Sequence, residues 1–254
     1  MLTAITRAVS PAIGRCELEY FERQPIDLEK AEEQHRAYER CLAELGAHVI
    51  SLPAEPDLPD SVFVEDPALV LDEVAVITRM GAESRRAEAE SLAVALAPFR
   101  PLVRLKDPAT LEGGDVMRIG RTLYVGASAR TNSAGIEQLR RELAAYGYTV
   151  VAVRVHGCLH LKSACTYLGD DTILVNQSWI DMTPLRGFRI VDVATGEPGA
   201  GNTLTVNGRV LASSAFPGTA AVLRERGYRV EVLDISELMK AEAALTCSSL
   251  IFEA

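Results

Sequence analysis

NTLTVNGRVLASS, residues 202–214, sets two apolar runs on either side of Asn207-Gly208. Asn-Gly accepts positive φ at both central positions, so the stretch predicts a tight antiparallel hairpin. The same layout recurs in ALVLDEVAVITR (68–79), DVMRIGRTLYVG (115–126) and CTYLGDDTILVNQ (165–177), with Asp72-Glu73, Gly120-Arg121 and Gly169-Asp170-Asp171 as turn residues. Helix-like and strand-like stretches follow: 83–96 then PLVRLK (101–106), 133–146 then YTVVAVRV (148–155), and 219–226 then YRVEVLD (228–234). In the second of these helices Ile136, Leu139, Leu143 and Tyr146 share one face. The third hairpin is followed by an ambiguous stretch and FRIVDV (188–193). The unit therefore reads ββαβ, recurring roughly every 40–50 residues, a spacing typical of arrays and propellers. A fifth unit forms if SLIFE (249–253) pairs with LTAITRAV (2–9), with a helix over 27–45 and a strand at HVISLP (48–53). The expected fold is α/β: a five-fold pseudo-symmetric ββαβ propeller in a single domain, 1–254. An ordinary mixed α/β sheet is the competing reading.

The 254 residues carry 26 Lys+Arg against 35 Asp+Glu, a net charge of −9. That balance argues against a nucleic-acid or membrane-surface binder, which needs a basic face. With 48% hydrophobic and 24% charged residues the chain is not a disordered one. At this length it buries enough surface to need no covalent staples. Five cysteines, an odd number without a CxxC, argue against a secreted disulfide framework. The first residues show no apolar run of signal-peptide length, and no stretch has the apolar length of a membrane span. A cytoplasmic, soluble protein is expected. The Pro-rich LPAEPDLPDS (52–61) is the nearest approach to a linker.

Several clusters are able to carry chemistry. PDSVFVEDP (59–67) places Asp60, Glu65 and Asp66 around an apolar trio that includes Phe63. Carboxylates beside an aromatic ring suit a guanidinium, and strand alternation sends Glu65 and Asp66 to opposite sides. LEGGD (111–115) sets Glu112 and Asp115 about two glycines, which otherwise mark only a tight turn. No P-loop or complete GxGxxG motif supports phosphate binding. HGCLHLKSAC (156–165) offers His156, Cys158 and His160, which alternate to one side if the preceding strand continues. They lack the spacing of a structural zinc site or an HExxH motif, and a single working His160 is the simpler reading. Cys247 precedes the last apolar run and would be either a buried small residue or a nucleophile paired with His160 and Glu112. Arg85 and Arg130 stand near the starts of successive helices, as surface residues or as a carboxylate clamp.

Taken together, PDSVFVEDP (59–67), ITRMGAESRRAE (77–88), LEGGDVM (111–117), YVGASARTN (124–132), LHLK (159–162) and TCSSL (246–250) resemble the dimethylarginine dimethylaminohydrolase family of the guanidino-modifying (pentein) superfamily. The resemblance implies a five-bladed ββαβ propeller that hydrolyses N-methylated arginine to citrulline and an alkylamine, with no metal or organic cofactor. It implies Cys247 as nucleophile, His160 as general acid and base, and Glu112 as the group that orients His160. Asp66 would hold the guanidinium, and Arg85 and Arg130 the substrate carboxylate. Asp60 would hold the α-amine together with backbone carbonyls near Leu18 and Ala241, while Glu65 belongs to the same acidic segment. Glu242 stands where the family often has Asp, and GRCELEYFERQPID (14–27) makes an unusually charged flap. The expected partner is a small-molecule substrate, not nucleic acid or membrane, and a homodimer is one assembly open to it. Deiminases and amidinotransferases of the superfamily typically carry Asp two residues after the histidine, where this chain has Lys162. Those sister activities, a non-catalytic binding propeller and a metal protein are the alternatives.

Overall fold

The computed structural model describes residues 1–254 and resolves them into five three-stranded sheets wired alike. In the first, β1 (Leu2–Arg7) runs parallel to β2 (His48–Leu52) across helix α1 (Leu28–Glu44). In the second, β3 (Ala68–Val70) and β4 (Ala75–Ile77) form the hairpin, and α2 (Glu88–Leu96) leads to β5 (Leu102–Arg104). The third contains β6 (Val116–Ile119), β7 (Thr122–Ala127), α3 (Ser133–Leu143) and β8 (Thr149–Arg154). A short helix α4 (Leu161–Ala164) precedes the fourth, made of β9 (Cys165–Gly169), β10 (Thr172–Val175) and β11 (Arg189–Asp192). The fifth has β12 (Leu204–Val206), β13 (Arg209–Ser213), α5 (Pro217–Glu225) and β14 (Arg229–Leu233). After α6 (Ser236–Met239), β15 (Leu250–Glu253) returns to pair antiparallel with β1, Leu2 opposite Glu253. In every sheet the middle strand has one antiparallel and one parallel neighbour.

Local chemistry explains the elements. Asn207 and Gly208 take φ of 46° and 75°, as the hairpin reading requires. Asp27 caps α1 by accepting from the Lys30 amide at 3.1 Å, and Asn132 caps α3 by accepting from Gly135 at 2.7 Å. Ile136, Leu139 and Leu143 are buried on α3 and Tyr146 packs partly against the same cluster. The helix expected over 83–96 is split: a 3-10 turn at Glu83–Arg85 precedes α2. The fourth unit has no helix longer than a turn between β10 and β11. Asn176 captures the Ser178 amide and hydroxyl, and Pro184 opens the second of two 3-10 turns, Gln177–Trp179 and Thr183–Leu185.

The sheets are tied together where their first strands begin. Each sheet's first strand is reached through a lead-in segment: 60–66 before β3, 112–115 before β6, 158–162 before β9, 198–203 before β12 and 242–248 before β15. Adjacent lead-ins are hydrogen-bonded in cyclic order. Gly113 N–H donates to Asp66 O (2.9 Å), Leu161 N–H to Asp115 Oδ1 (2.9 Å) and Asn202 Nδ2 to Lys162 O (2.9 Å). Thr246 N–H donates to Asn202 Oδ1 (3.1 Å), and Glu65 N–H closes the ring on Cys247 O (3.1 Å).

The returning strand is anchored by Phe252, which meets the Phe99 ring edge-on at 5.3 Å and lies under the Arg100 guanidinium. Phe252→Ala is expected to lower unfolding stability by about 3 kcal/mol, read as a lower urea midpoint at unchanged slope.

Candidate active site

The lead-in segments converge on a small cavity of about 30 Å³ lined by Asp60, Phe63, Asp66, Arg85, Arg130, His160 and Cys247, among others. One wall of it is held by an ion pair. His160 Nε2 lies 2.8 Å from Glu112 Oε2, and Glu112 is 0% exposed. The glycines of LEGGD make this packing possible. A Cβ on Gly114 would sit 2.5 Å from His160 Nδ1 and 2.8 Å from Asp66 Oδ1, and one on Gly113 would meet the Glu65 carbonyl at 2.0 Å. The pair is thus a close approach of backbone to side chains, not only a turn.

Asp66 accepts from the Gly114 amide (2.9 Å) and from Arg85 (2.9 Å), and its Oδ1 lies 4.0 Å from His160 Nδ1. Arg85 directs its remaining donors at Glu88 (3.1 and 2.9 Å) and Phe63 O. The guanidinium that the acidic, aromatic segment holds here is therefore the chain's own. Arg130 places Nη1 3.5 Å from Glu112 and donates Nε–H to Glu19 at 2.9 Å. Glu65 and Asp66 do diverge, but through turns, since no strand forms over 60–66. Glu65 points away from the cavity, bonded to Lys162 and to Thr246 Oγ1 (2.7 Å).

Asp60 lines the cavity and accepts from the Glu17 amide at 3.1 Å. Ala241 lines it too, whereas Leu18 packs into the neighbouring apolar cluster beside Val62, Phe63 and Cys247. Glu242 holds the flap. With φ at +58°, its carboxylate accepts from three successive amides, Glu19 (2.9 Å), Tyr20 (2.6 Å) and Phe21 (2.6 Å).

His156, Cys158 and His160 do not form a ligand set. The strand ends at Arg154, and Gly157 turns the chain with φ +87°. His156 is exposed, while the Cys158 thiol is buried and donates to His160 O at 3.3 Å. Asp66, Glu112 and His160 bring one ligand-type atom each within 4.8 Å of one another. Those atoms already face each other, Arg85 and the Gly114 amide, as an ion-pair cluster.

The sequence reading gave no role to several residues that shape the site. Asp115 accepts from Leu161 N–H and from Ser128 Oγ (2.6 Å), and so fixes the turn on which His160 sits. Glu88 neutralises Arg85 from the other side. Asn202 and Thr246 join the last two lead-ins, Asn202 Nδ2 lying 2.9 Å from Thr246 Oγ1. Asp115, in LEGGD, and Glu88, at the end of ITRMGAESRRAE, both fall inside motifs, and Glu88 stands three residues from Arg85.

Burial works against a charged His160, but Asp66, the Glu112 hydrogen bond and Asp115 outweigh it and raise its pKa to about 9. Burial likewise opposes a charged Glu112. The bond and charge of His160, with Arg85 and Arg130, nevertheless hold it well below the usual carboxylate range. Burial pushes the Cys247 thiol far up, and Glu65 and Asp66 add to it, against the Ala244 amide and Lys162. The resting pair is thus a neutral thiol beside an imidazolium. Burial also raises Cys158 and Cys165 to about 12.

The family described as N,N dimethylarginine dimethylhydrolase, eukaryotic, matches residues 19–193. The chain is 40% identical over 247 residues to the N(G),N(G)-dimethylarginine dimethylaminohydrolase of Streptomyces coelicolor, covering 97% of this chain and 95% of that one. It is 38% identical over 228 residues to the Pseudomonas aeruginosa protein of the same name, covering 89% and 90%. The solved structure of a cysteine-to-serine variant of a Pseudomonas aeruginosa enzyme with citrulline superimposes with a TM-score of 0.94 at 35% identity, covering 99% of this chain and 100% of that one.

NMR titration of His160 is expected to give a pKa near 9, falling towards about 6.5 in Glu112→Gln. Because the folded value is raised, the contribution to stability is complete below about pH 6.5 and is lost as the pH climbs through the folded pKa. A native titration near 6.5 would contradict the coupling.

Proposed function

The chain belongs to the dimethylarginine dimethylaminohydrolase family, and from that premise we propose how its residues divide the chemistry. It is a hydrolase of N-methylated L-arginine, releasing citrulline and an alkylamine. We read the five sheets as blades of a pentein propeller forming one catalytic domain over 1–254, a reading supported by the closed ring of lead-in hydrogen bonds. The observation that carries the chemical reading is that Cys247, His160 and Asp66 line one cavity, with Glu112 buried behind His160. A thiol nucleophile also suits the reducing cytoplasm.

Asp66 orients the substrate guanidinium, and Asp60 receives the α-amine. Arg130 takes the carboxylate, while Arg85, already bonded to Asp66 and Glu88, holds Asp66 in place. The guanidinium cation lowers the Cys247 pKa on arrival, so the thiol proton leaves for solvent and a thiolate forms against the substrate carbon. Attack gives a tetrahedral centre. The imidazolium of His160 protonates the methylated nitrogen, the C–N bond breaks and the amine departs. An S-alkylthiouronium remains on Cys247. Neutral His160 then takes a proton from water and the resulting hydroxide adds to the carbon; collapse expels the thiolate, and the hydroxyl proton passes to that sulfur, leaving citrulline and the resting thiol. Glu112 stabilises each imidazolium stage.

Lys162 supports hydrolysis of substituted rather than plain arginine. Its ammonium is bound by Glu65 away from the cavity, so the position after His160 supplies no second carboxylate to grip both terminal nitrogens. Assay of methylated arginines beside arginine tests this reading. Methylamine or dimethylamine with citrulline is expected, while ammonia from arginine as the main product would overturn it. Cys247→Ser is expected to lose at least about a thousandfold in kcat with its melting temperature unchanged.

At about 30 Å³ the cavity is too small for an amino acid. Substrate therefore binds only after the flap lifts and Glu19 releases Arg130, since both carboxylates seek the same guanidinium. Glu19→Gln is expected to lower KM about three- to tenfold at nearly constant kcat, as loss of a competing charge-assisted bond. An unchanged or raised KM would count against that competition.

A further inference from the structure

A second cavity of about 180 Å³ adjoins the catalytic one. The two share a wall made of Leu159 and Ser163 on one side and Glu242, Ala243 and Ala244 on the other. The position of that wall is informative. Leu159 precedes His160 directly, Ser163 N–H donates to His160 O at 3.1 Å, and the Ala244 amide donates to Cys247 Sγ at 3.4 Å. Asp60, Asp66, Arg85 and Arg130, by contrast, line only the catalytic cavity. The second space thus adjoins the catalytic one through residues next to the nucleophile and the acid, and Asp60, Asp66, Arg85 and Arg130 take no part in it.

Beyond the wall the lining is mostly apolar, with Trp179, Phe216, Met239 and Leu245. Tyr20 and Phe21 of the flap line it as well, although they are 49% and 57% exposed. Two half-exposed rings on an apolar cavity leave surface that a ligand group would cover. A cavity of about 150 Å³ with such a lining accepts benzene, so this one has room for more than a methyl group.

We propose that this cavity receives the substituent on the leaving nitrogen, and that the substrate class extends to L-arginines carrying an uncharged alkyl or arylalkyl group several carbons larger than methyl. The inference rests on the hydrolase reading above. The nitrogen that leaves is the one His160 protonates, so its substituent lies against the residues flanking His160, which are the shared wall. The chemistry is unchanged: the C–N bond to the substituted nitrogen breaks, that nitrogen departs as the primary amine with the proton of His160, and the oxygen of water ends in citrulline. Apolar enclosure favours butyl and benzyl groups and disfavours a charged tail, which would lose its hydration there.

The test is steady-state hydrolysis of Nω-methyl-, Nω-butyl- and Nω-benzyl-L-arginine by the intact chain, with both citrulline and released amine measured. Butyl and benzyl substrates are expected within about tenfold of methyl in kcat/KM. Met239→Trp and Phe216→Trp, which fill the cavity away from the catalytic groups, are each expected to cut benzyl turnover at least about tenfold while changing methyl turnover less than about threefold. Retained methyl turnover also shows that each variant folds. Methyl turnover with butyl and benzyl more than about a hundredfold slower would overturn the inference and leave the hydrolase reading intact. Benzyl turnover indifferent to both fillings would overturn it too. Failure of all three substrates would overturn the hydrolase reading, and the inference with it.

Discussion

Five hydrogen bonds joining five lead-in segments into a closed ring are the constraint on which the rest of this protein depends. Each bond uses a backbone amide or an Asn side chain, and each joins the approach to one sheet with the approach to the next. Every residue assigned to the chemistry of bond cleavage lies on this ring: Asp66, Glu112, His160 and Cys247. The sheets serve to hold the ring taut, because each middle strand is locked by neighbours on both sides. Rigid elements placing side chains from separate segments around one point is the usual way a scaffold achieves preorganisation.

The interior of that ring is unusually ionic. Asp60, Asp66, Glu88, Glu112, Asp115, Arg85 and Arg130 are all buried. Buried charges are tolerated only when paired and hydrogen-bonded. Arg85 is shared between Asp66 and Glu88, Glu112 between His160 and Arg130, and Asp115 meets Ser128 and the Leu161 amide. Burial alone would neutralise much of this set, and it does push Glu88 up to about 7 against the pull of Arg85. The imidazolium survives because carboxylates surround it. Burial, with Glu65 and Asp66, keeps the Cys247 thiol neutral, and in the proposed reaction it is the substrate cation that offsets them.

The sheets were readable from residues alone where hairpin chemistry was strong. Asn207-Gly208, Gly120-Arg121 and Gly169-Asp170-Asp171 sit at turns between strands whose ends fall within one or two residues of the apolar runs. The pairing of the first and last strands was readable too, because the repeat left one unit incomplete. The fourth unit's missing helix was not, since Asn176 and Pro184 act through local bonds that periodicity does not register. Motifs located Asp66, Glu112, His160 and Cys247, which the fold gathers at one cavity apart from Glu112 just behind it. Glu65 belongs to the same motif as Asp66 yet faces elsewhere, towards Lys162 and Thr246. The contacts of Glu19 with Arg130 and of Glu242 with the flap amides span more than a hundred residues and leave no local trace.

The pairing of β1 with β15 also sets an order of events. β1 lies ahead of all the other strands in the sequence, yet its antiparallel partner follows all of them. Cys247 lies three residues ahead of β15, and its carbonyl makes the bond that closes the ring on Glu65. Contacts between positions so far apart in sequence form late. While the chain is still growing on the ribosome, the strands of four sheets are all present before Cys247 is added. The cavity that Cys247 lines is therefore completed only at the step that completes the tertiary structure, because the same short segment supplies both the sulfur and the last bond of the ring.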